Sequence, residues 1–334
     1  MAGAGRWVAL ALAALLAGGC AGLRTAPAPV REGYVAAQGG ARIFYRVAGS
    51  GADTVVVVHD GPGLHMETLA PDLRPLLQGR TLIFYDQRGG GRSTLDPDPD
   101  RWIFHTHLSD LRKVLDHFGL RRATLLGVGW GAGLAAVHAS NEPERIARLV
   151  LVAPVPPRSH PWRDRVQAEV AARLGPEREA QLDTLWARWE RGADPAAHCR
   201  AYHALRARAL AASERRARGS ACHAPAEALQ AHPRTVDRTR VMHRSWAWLP
   251  MLKAVRAPTL VVRGERDPVP AEAAAEWGAL PDARLLTLSG AGAMPHVDAP
   301  GPFFAAVDRF LRGEWPEGAE PLRPLARPAA NPLH

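Results

Sequence analysis

The chain has 334 residues, of which 47% are hydrophobic and 22% are charged, and its formal net charge is +9. This length and apolar content predict one sizeable folded α/β domain with an insertion, and they exclude an extensively disordered chain. The positive charge is almost entirely arginine scattered along the chain, with no basic run interleaved with aromatic residues, so we expect no nucleic-acid partner.

The first 19 residues have the pattern of a targeting segment. Arg6 precedes an apolar run, Trp7–Ala17, which is too short to span a bilayer as a helix. Small residues then lead directly to Cys20, a pattern typical of bacterial lipoprotein signals. We therefore predict a signal peptide over residues 1–19, a lipid on Cys20 and a tether over residues 20–32, which together place the protein at the cell envelope, anchored to a membrane. An ordinary secretory signal and an uncleaved anchor are the alternatives.

Strand and helix patterns alternate after the tether, which predicts a mostly parallel sheet flanked by helices. The run Gly33–Gly49 predicts a hairpin, and the β-branched run Val55–Asp60 is typical of a strand buried on both faces. Apolar residues at helical spacing predict a helix over His107–Phe118. The other predicted elements of this half are a short helix over Met66–Leu77 that Pro71 can interrupt, strands over Thr81–Asp86 and Ala123–Gly127, a helix over Gly131–Ala139 and a strand over Arg145–Pro154.

The pattern changes between residues 155 and 249, where no strand run occurs and several helices are predicted. The alternation then returns, with strands over Ala257–Asp267 and Ala283–Gly290 and helices over Ala271–Leu280 and Pro302–Leu311. We predict a core formed by residues 33–154 and 250–312, a helical lid formed by residues 155–249, and a disordered Pro-rich tail over residues 313–334.

Cys199 and Cys222 are the only cysteines besides Cys20. If Cys20 carries a lipid, the other two are an even pair in an oxidising compartment, and we predict that they form a disulfide. Two free, buried thiols are the alternative.

Three turns carry a family resemblance. They are HDGPG (residues 59–63), YDQRGGGRS (residues 85–93) and GVGWG (residues 127–131). Together with the later acid Asp267, they resemble the proline iminopeptidase-like branch of the α/β-hydrolases over about Gly33 to Leu311. The resemblance implies the α/β-hydrolase fold, a mostly parallel sheet flanked by helices with a helical lid insertion. It also implies an oxyanion hole formed by backbone N–H groups near Gly61 and at Trp130.

The sequence departs from the family at the residues that carry the chemistry. Gly129 stands where the family has its nucleophilic serine, and Ala293 stands where it has the catalytic histidine. Asp60 replaces a glycine of the family's HGGPG turn, so that only Asp267 remains of the triad. Serine attacks a carbonyl only when a histidine accepts its proton, and this sequence supplies neither group at its place.

We therefore predict a pseudoenzyme that binds a small molecule or a peptide without turnover and without a cofactor or metal. An alternative is an aminopeptidase- or esterase-type hydrolase that uses displaced residues, with His296 as substitute base beside Asp267. A carboxylate nucleophile at Asp60, a metal site formed by Asp60, Asp267 and His296, and a scaffolding lipoprotein with an unused pocket are further alternatives.

The predicted lid contains LWARWE, residues 185–190, which resembles the family's W-x-x-W-E motif. The resemblance implies that Trp186 and Trp189 shape the pocket and that Glu190 receives a ligand cation. The alternative is an amphipathic helix whose two tryptophans pack into the lid's own core.

Overall fold

A computed structural model describes residues 30–95, 98, 101, 103–192, 194–212, 222–242 and 245–323. The predicted signal peptide, Cys20, most of the predicted tether and residues 324–334 lie outside these ranges. Within the described residues, no helix combines the length and the apolar content needed to cross a membrane.

The described chain forms a mixed nine-stranded sheet in the order β1-β2-β4-β3-β5-β6-β7-β8-β9. The strands β3 to β8 are parallel, whereas β1, β2 and β9 pair antiparallel with their neighbours at the two ends of the sheet. The strands are β1 Val30–Ala36, β2 Arg42–Gly49, β3 Asp53–Val58, β4 Arg80–Tyr85, β5 Ala123–Val128, β6 Ile146–Val152, β7 Thr259–Gly264, β8 Ala283–Leu288 and β9 Glu320–Pro321. The mostly parallel sheet predicted from the alternating pattern is confirmed.

Helices cover the sheet and form the insertion. They are α1 Phe104–His117, α2 Trp130–Asn141, α3 Trp162–Leu174, α4 Pro176–Glu190, α5 Pro195–Leu210, α6 Ala226–Met242, α7 Leu249–Leu252, α8 Ala271–Ala275, α9 Pro295–Asp298 and α10 Pro300–Leu311. The segment Met66–Leu77, predicted as a short helix that Pro71 can interrupt, forms two short 3₁₀ helices, Met66–Thr68 and Arg74–Leu77. Pro71 and Pro75 lack the backbone N–H that a continuous α-helix requires, which accounts for the break.

The sheet has a separate hydrophobic core on each face. Successive residues of β3 alternate between the two, because side chains along a strand point to opposite faces. Val56 and Val58 belong to the core that packs against α1 and α2, whereas Val55 and Val57 belong to the core that includes Phe303 of α10. This double burial explains why the central strands are continuous apolar runs.

The lid, which we define as residues 155–249, has its own small core. Helices α3 to α6 of the lid contact one another, and the buried side chain of Trp189 lies at their centre. Cys199 and Cys222 are joined in a disulfide with a Cα–Cα distance of 6.1 Å, as predicted, and not left as two free thiols. The disulfide links α5 to the segment that leads into α6, so it ties the lid helices together.

The end of the described chain differs from the disorder expected from residue 313 onward. Glu320 pairs with Leu285, so that β9 extends the sheet beyond β8. Ala319 is buried and Trp315 packs against the core on the α10 side. Disorder is the expectation from the high proline content of this segment. Burial of Trp315 and Ala319 removes apolar surface from water and so stabilises the ordered segment. At the other end, β1 begins at Val30, inside the predicted tether.

A buried ion pair joins the turn after β4 to helix α1. Arg88 donates two hydrogen bonds to Asp110, of 2.9 and 2.7 Å, and both side chains are 1% exposed. Arg88 also donates to the backbone carbonyl of Gln38. A buried pair of this kind is strongly destabilising when one partner is removed, because the remaining charge stays buried.

We expect Asp110→Ala to lower the free energy of unfolding by about 3–5 kcal/mol, since Arg88 would remain buried without its carboxylate. The measurement is guanidinium denaturation of the purified protein. The control is Asp116→Ala on the same helix, which removes an exposed pair with Arg145 and is expected to cost less than about 1 kcal/mol. Equal losses in the two variants would contradict the interpretation.

Candidate active-site cavity

Gly129 lies at a sharp turn between the end of β5 and the start of α2. Its backbone has φ 55° and ψ −117°, a region that glycine adopts without the penalty of a Cβ atom. Its neighbour Gly131 packs against the backbone carbonyls of Val58 and His59, and a side chain there would overlap them. The turn therefore has the strand–turn–helix geometry of a nucleophile elbow, with glycine at the position that points into the cavity.

The Asp60 carboxylate occupies the space in front of Gly129. The backbone N–H of Trp130 donates a hydrogen bond of 2.8 Å to Asp60 Oδ1, and the N–H of Gly61 also bonds this carboxylate. A Cβ atom built on Gly129 would overlap Oδ1 and lie 2.6 Å from Cγ. The two N–H groups predicted to form an oxyanion hole are thus both directed at a carboxylate of the protein itself. In the structure, the Asp60 side chain faces the cavity and not the solvent.

The charge of Asp60 is set by opposing effects. Burial raises the pKa of its carboxyl above the ordinary value, while the N–H groups of Trp130 and Gly61 and the charge of Arg206 counteract part of that rise. The N-terminus of α2, which begins at Trp130, also favours an anion at this point. The carboxyl group of Asp60 therefore lies where the predicted oxyanion hole would bind the oxygen of a substrate.

The turn that carries Asp60 is held by the second predicted motif. The backbone N–H of Gln87 donates to His59 Nε2 at 3.0 Å, and the Gln87 amide donates to the His59 carbonyl at 2.6 Å. Burial lowers the pKa of His59 to about 3, so its ring is neutral and can accept this bond. The segments 59–63 and 85–93 therefore lock one another at the end of the sheet where Asp60 lies.

Asp267 lies beyond the end of β7, as the retained acid should. Its Oδ1 accepts a hydrogen bond of 2.9 Å from the N–H of Val269, and the carboxyl is 7% exposed. Burial raises its pKa to about 6, although the nearby charges of Arg263 and Arg173 oppose the rise. The buried acid therefore titrates much closer to neutrality than an exposed aspartate.

Position 293, where the family resemblance implies a histidine, has no imidazole that could bond Asp267. Ala293 lines the cavity with a methyl group, and its N–H donates to the carbonyl of Leu210 in the lid at 2.8 Å. The loop around it is held by Asp298, whose Oδ2 accepts from the N–H of Gly292 at 2.8 Å and of Ala212 at 3.1 Å. This role of Asp298 was not foreseen, because it depends on contact between the loop and the lid.

His296 also lines the cavity, but it forms no hydrogen bond to Asp267 within the described residues. It belongs to the short helix α9, where its ring packs near Phe303 with centroids 5.9 Å apart. Its Nδ1 has no hydrogen-bond partner in the described part of the chain, and burial lowers its pKa to about 4. The geometry does not join His296 and Asp267 into a base–acid pair.

The cavity between core and lid has a volume of about 580 Å³, enough for a small organic ligand. From the lid, Trp186, Tyr202 and Arg206 line it. Tyr202 and Arg206 are four residues apart on α5 and so share a helix face, a spacing that could have identified them from the sequence. From the core, the lining includes Asp60, Gly61, Gly129, Trp130, Asp267, Ala293 and His296.

The three residues of the predicted lid motif have different surroundings in the structure. Trp186 lines the cavity, whereas Trp189 is buried in the lid core, where its Nε1 donates to the carbonyl of Leu229 at 2.7 Å and its ring stacks on His232. Glu190 ends α4 as an exposed residue and does not line the cavity. The cation-binding role expected for Glu190 therefore has no support in the structure. Among the described residues, no group of three or more His, Cys, Asp or Glu side chains is arranged to hold a metal ion.

Comparison with known proteins agrees with this geometry. A family model described as alpha/beta hydrolase fold matches residues 53–300. A proline iminopeptidase of Levilactobacillus brevis is 32% identical over 123 residues, covering 36% of this chain and 41% of the relative. A proline iminopeptidase of Heyndrickxia coagulans is 30% identical over 124 residues, covering 37% of this chain and 43% of the relative. The matched stretch thus spans about two fifths of the length of these curated relatives.

Solved structures extend the similarity over most of the chain. The proline iminopeptidase of Mycobacterium smegmatis superimposes with a TM-score of 0.63 at 22% identity, covering 85% of this chain and 98% of that one. A proline iminopeptidase-related protein from Thermus thermophilus has a TM-score of 0.63 at 25% identity, with the same coverage of both chains.

The raised pKa of Asp267 predicts a pH-dependent stability. The ionised carboxylate is disfavoured on folding, so its cost is absent below the ordinary pKa of 3.8 and fully present above about 6. We expect Asp267→Asn, which can still accept the Val269 N–H, to be more stable than the wild type at pH 8 by roughly 3 kcal/mol. The difference should shrink as the pH falls from 6 to 4.

Denaturant unfolding at several pH values measures this difference. The exposed Asp282→Asn serves as the matched control and should show no comparable pH dependence. A constant difference between Asp267→Asn and the wild type across this pH range would show that burial of the carboxylate is not its source.

Proposed function

Because this chain belongs to the alpha/beta hydrolase fold family, we propose that it is a proline iminopeptidase-like member that does not catalyse hydrolysis and instead binds a small molecule or a peptide in the cavity between core and lid. The observation that supports this most directly is the position of Asp60. Its carboxylate accepts the N–H of Trp130 and fills the space in front of Gly129, where a nucleophilic side chain would begin.

Three requirements of acyl transfer fail together at this site. Gly129 supplies no nucleophilic oxygen, and Ala293 supplies no base to accept its proton. The donors that would stabilise an oxyanion are already bonded to an anion, and a second negative charge beside Asp60 would be repelled. Loss of the nucleophile or the base from such a triad costs roughly a millionfold in turnover, and loss of both costs little more.

A hydrolase that uses displaced residues is less consistent with the geometry. Its substitute base would be His296, but this ring makes no hydrogen bond to Asp267 among the described residues, and its low pKa makes it a weak proton acceptor. A carboxylate nucleophile at Asp60 would have to leave the N–H groups of Trp130 and Gly61 and would lack a base for the second step.

The fold does not need the missing chemistry. A side chain at position 129 would be held at positive φ, where a Cβ atom is strained by about 1 kcal/mol or more. Glycine removes this strain at the elbow. The cavity, by contrast, is retained, and its lining combines aromatic and charged side chains that suit a ligand.

The location proposed for the protein is the bacterial cell envelope, with a lipid on Cys20 as its membrane anchor. The support is the sequence pattern before Cys20, which lies outside the described residues, and the disulfide between Cys199 and Cys222. Structural disulfides persist in oxidising compartments such as the periplasm.

Activity assays test the proposal. The wild type should not hydrolyse proline p-nitroanilide or p-nitrophenyl acetate, and a fluorophosphonate should leave it unlabelled. Gly129→Ser alone should stay inactive, because Ala293 provides no base and Asp60 overlaps the new side chain. The triple variant Gly129→Ser/Ala293→His/Asp60→Gly should raise kcat/KM for the ester at least roughly 100-fold, since it restores nucleophile, base and free oxyanion donors.

The double variant Gly129→Ser/Ala293→His, which keeps Asp60, is the matched control for the triple variant. If the double variant is as active as the triple variant, the Asp60 carboxylate does not obstruct the site. Turnover or fluorophosphonate labelling of the wild type itself would refute the proposed loss of catalysis.

Lipid attachment is tested separately. In a bacterial host fed a radiolabelled fatty acid, the full chain should incorporate label and sediment with membranes, while Cys20→Ser should lose both the label and the sedimentation. Cys199→Ser, which removes a disulfide cysteine, should keep the label. A wild-type protein that is secreted without label would show that the segment is an ordinary signal peptide.

A further inference from the structure

We propose that the cavity recognises its ligand through a compact nitrogen cation with two N–H donors, of the amidinium or imidazolium class, which lies between Asp60 and Asp267 beside Ala293. The inference rests on the proposed function, because it assigns to a bound ligand the space that a catalytic imidazole takes up in an active hydrolase.

Two aspartates, Asp60 and Asp267, lie where an active triad has its serine and its acid. In the active arrangement an imidazole bridges a neutral serine and an acid, and it donates its second N–H to the acid. Here a carboxylate, Asp60, lies at the nucleophile's place, Asp267 lies at the acid's place, and the methyl of Ala293 lies at the base of the missing ring. Both carboxylates line the same cavity as Ala293. A group that bridges them has to donate at both ends.

Neither carboxylate is paired directly with a cationic side chain, although the charge of Arg206 acts on Asp60 and those of Arg263 and Arg173 act on Asp267. Within the described residues, Asp60 and Asp267 form no ion pair with an arginine, lysine or histidine. The hydrogen bonds that they accept come from backbone N–H groups, of Trp130 and Gly61 for Asp60 and of Val269 for Asp267. A carboxylate has about four acceptor sites, so each can accept further N–H donors from a ligand.

A third side chain, that of His296, borders the same space. His296 is 6% exposed and lines the cavity, and its Nδ1 has no hydrogen-bond partner in the described part of the chain. The low pKa of His296 keeps the ring neutral, and a neutral imidazole has one nitrogen that accepts an N–H.

The walls of the cavity also suit a cation. Four carboxylates and two guanidinium groups, those of Arg163 and Arg206, line it, and one of the carboxylates, Glu67, is already paired with Arg46 at 2.6 Å. Aromatic rings stabilise nitrogen cations that lie over their faces. The aromatic residues of the lining are Trp130, Trp186, Tyr202 and Trp246.

Benzamidine, benzamide and benzoate are the probes, because they share size and ring but differ in head-group charge. Isothermal titration of the purified full chain should detect benzamidine, with benzamide at least about tenfold weaker and benzoate without measurable binding. Asp60→Asn and Asp267→Asn should each weaken benzamidine by about tenfold. Ala293→His, which fills the space between the carboxylates with a ring, should abolish its binding.

Asp282→Asn is the control, since Asp282 is an exposed carboxylate that does not line the cavity. It should change benzamidine affinity less than twofold. Equal affinity for benzamide and benzamidine, equal losses in the Asp282 and Asp267 variants, or full binding to Ala293→His would each overturn the inference. Thermal denaturation of every variant identifies any loss of affinity that comes from unfolding.

These outcomes are separable from a failure of the proposed function. The titrations measure equilibrium binding and need no turnover, whereas hydrolysis or fluorophosphonate labelling tests catalysis alone. An inactive protein that binds benzamide as well as benzamidine would contradict the cation site and leave the loss of catalysis supported. A protein that hydrolyses the ester and binds benzamidine selectively would contradict the loss of catalysis and leave the cation site supported.

Discussion

The hydrogen bond from the Trp130 N–H to the Asp60 carboxylate is the interaction on which the character of the site depends. In an acyl-transfer enzyme the first N–H of this helix stabilises charge that develops on the substrate. Here the same donor is bonded to a charge that is part of the protein. This contact leaves no space for a side chain at Gly129 and occupies the N–H groups that were predicted to form an oxyanion hole.

That contact requires two neighbouring strands to end at the same edge of the sheet. Val58 of β3 pairs with Gly127 of β5, so the turns after these strands, which carry Asp60 and Gly129, are adjacent. The bonds between His59 and Gln87 then hold the first turn in place. Asp60 is positioned by this framework, and its inward orientation follows from N–H groups at the start of α2 that need an acceptor.

Asp267 does not stabilise the fold when its carboxyl group is ionised. Its ionised carboxylate is buried, and its pKa is raised to about 6 by that burial. A buried carboxylate of this kind destabilises the folded state near neutral pH. A residue that opposes stability and lies at a cavity is more readily explained by binding than by folding.

The amino-acid sequence by itself determined the sheet, the helical insertion and the identity of Gly129 and Ala293. These features depend on local periodicity, on turn motifs and on the identity of single residues, all of which are visible along the chain. Only the tertiary structure decided that Asp60 faces the cavity, that Glu190 does not, that His296 is not joined to Asp267, and that Trp315 and Ala319 pack against the core. The physical reason is that each of these outcomes depends on which groups from distant segments meet in space. The competition between burial and hydrogen bonding that orients a side chain is settled by those neighbours and not by its position in the sequence.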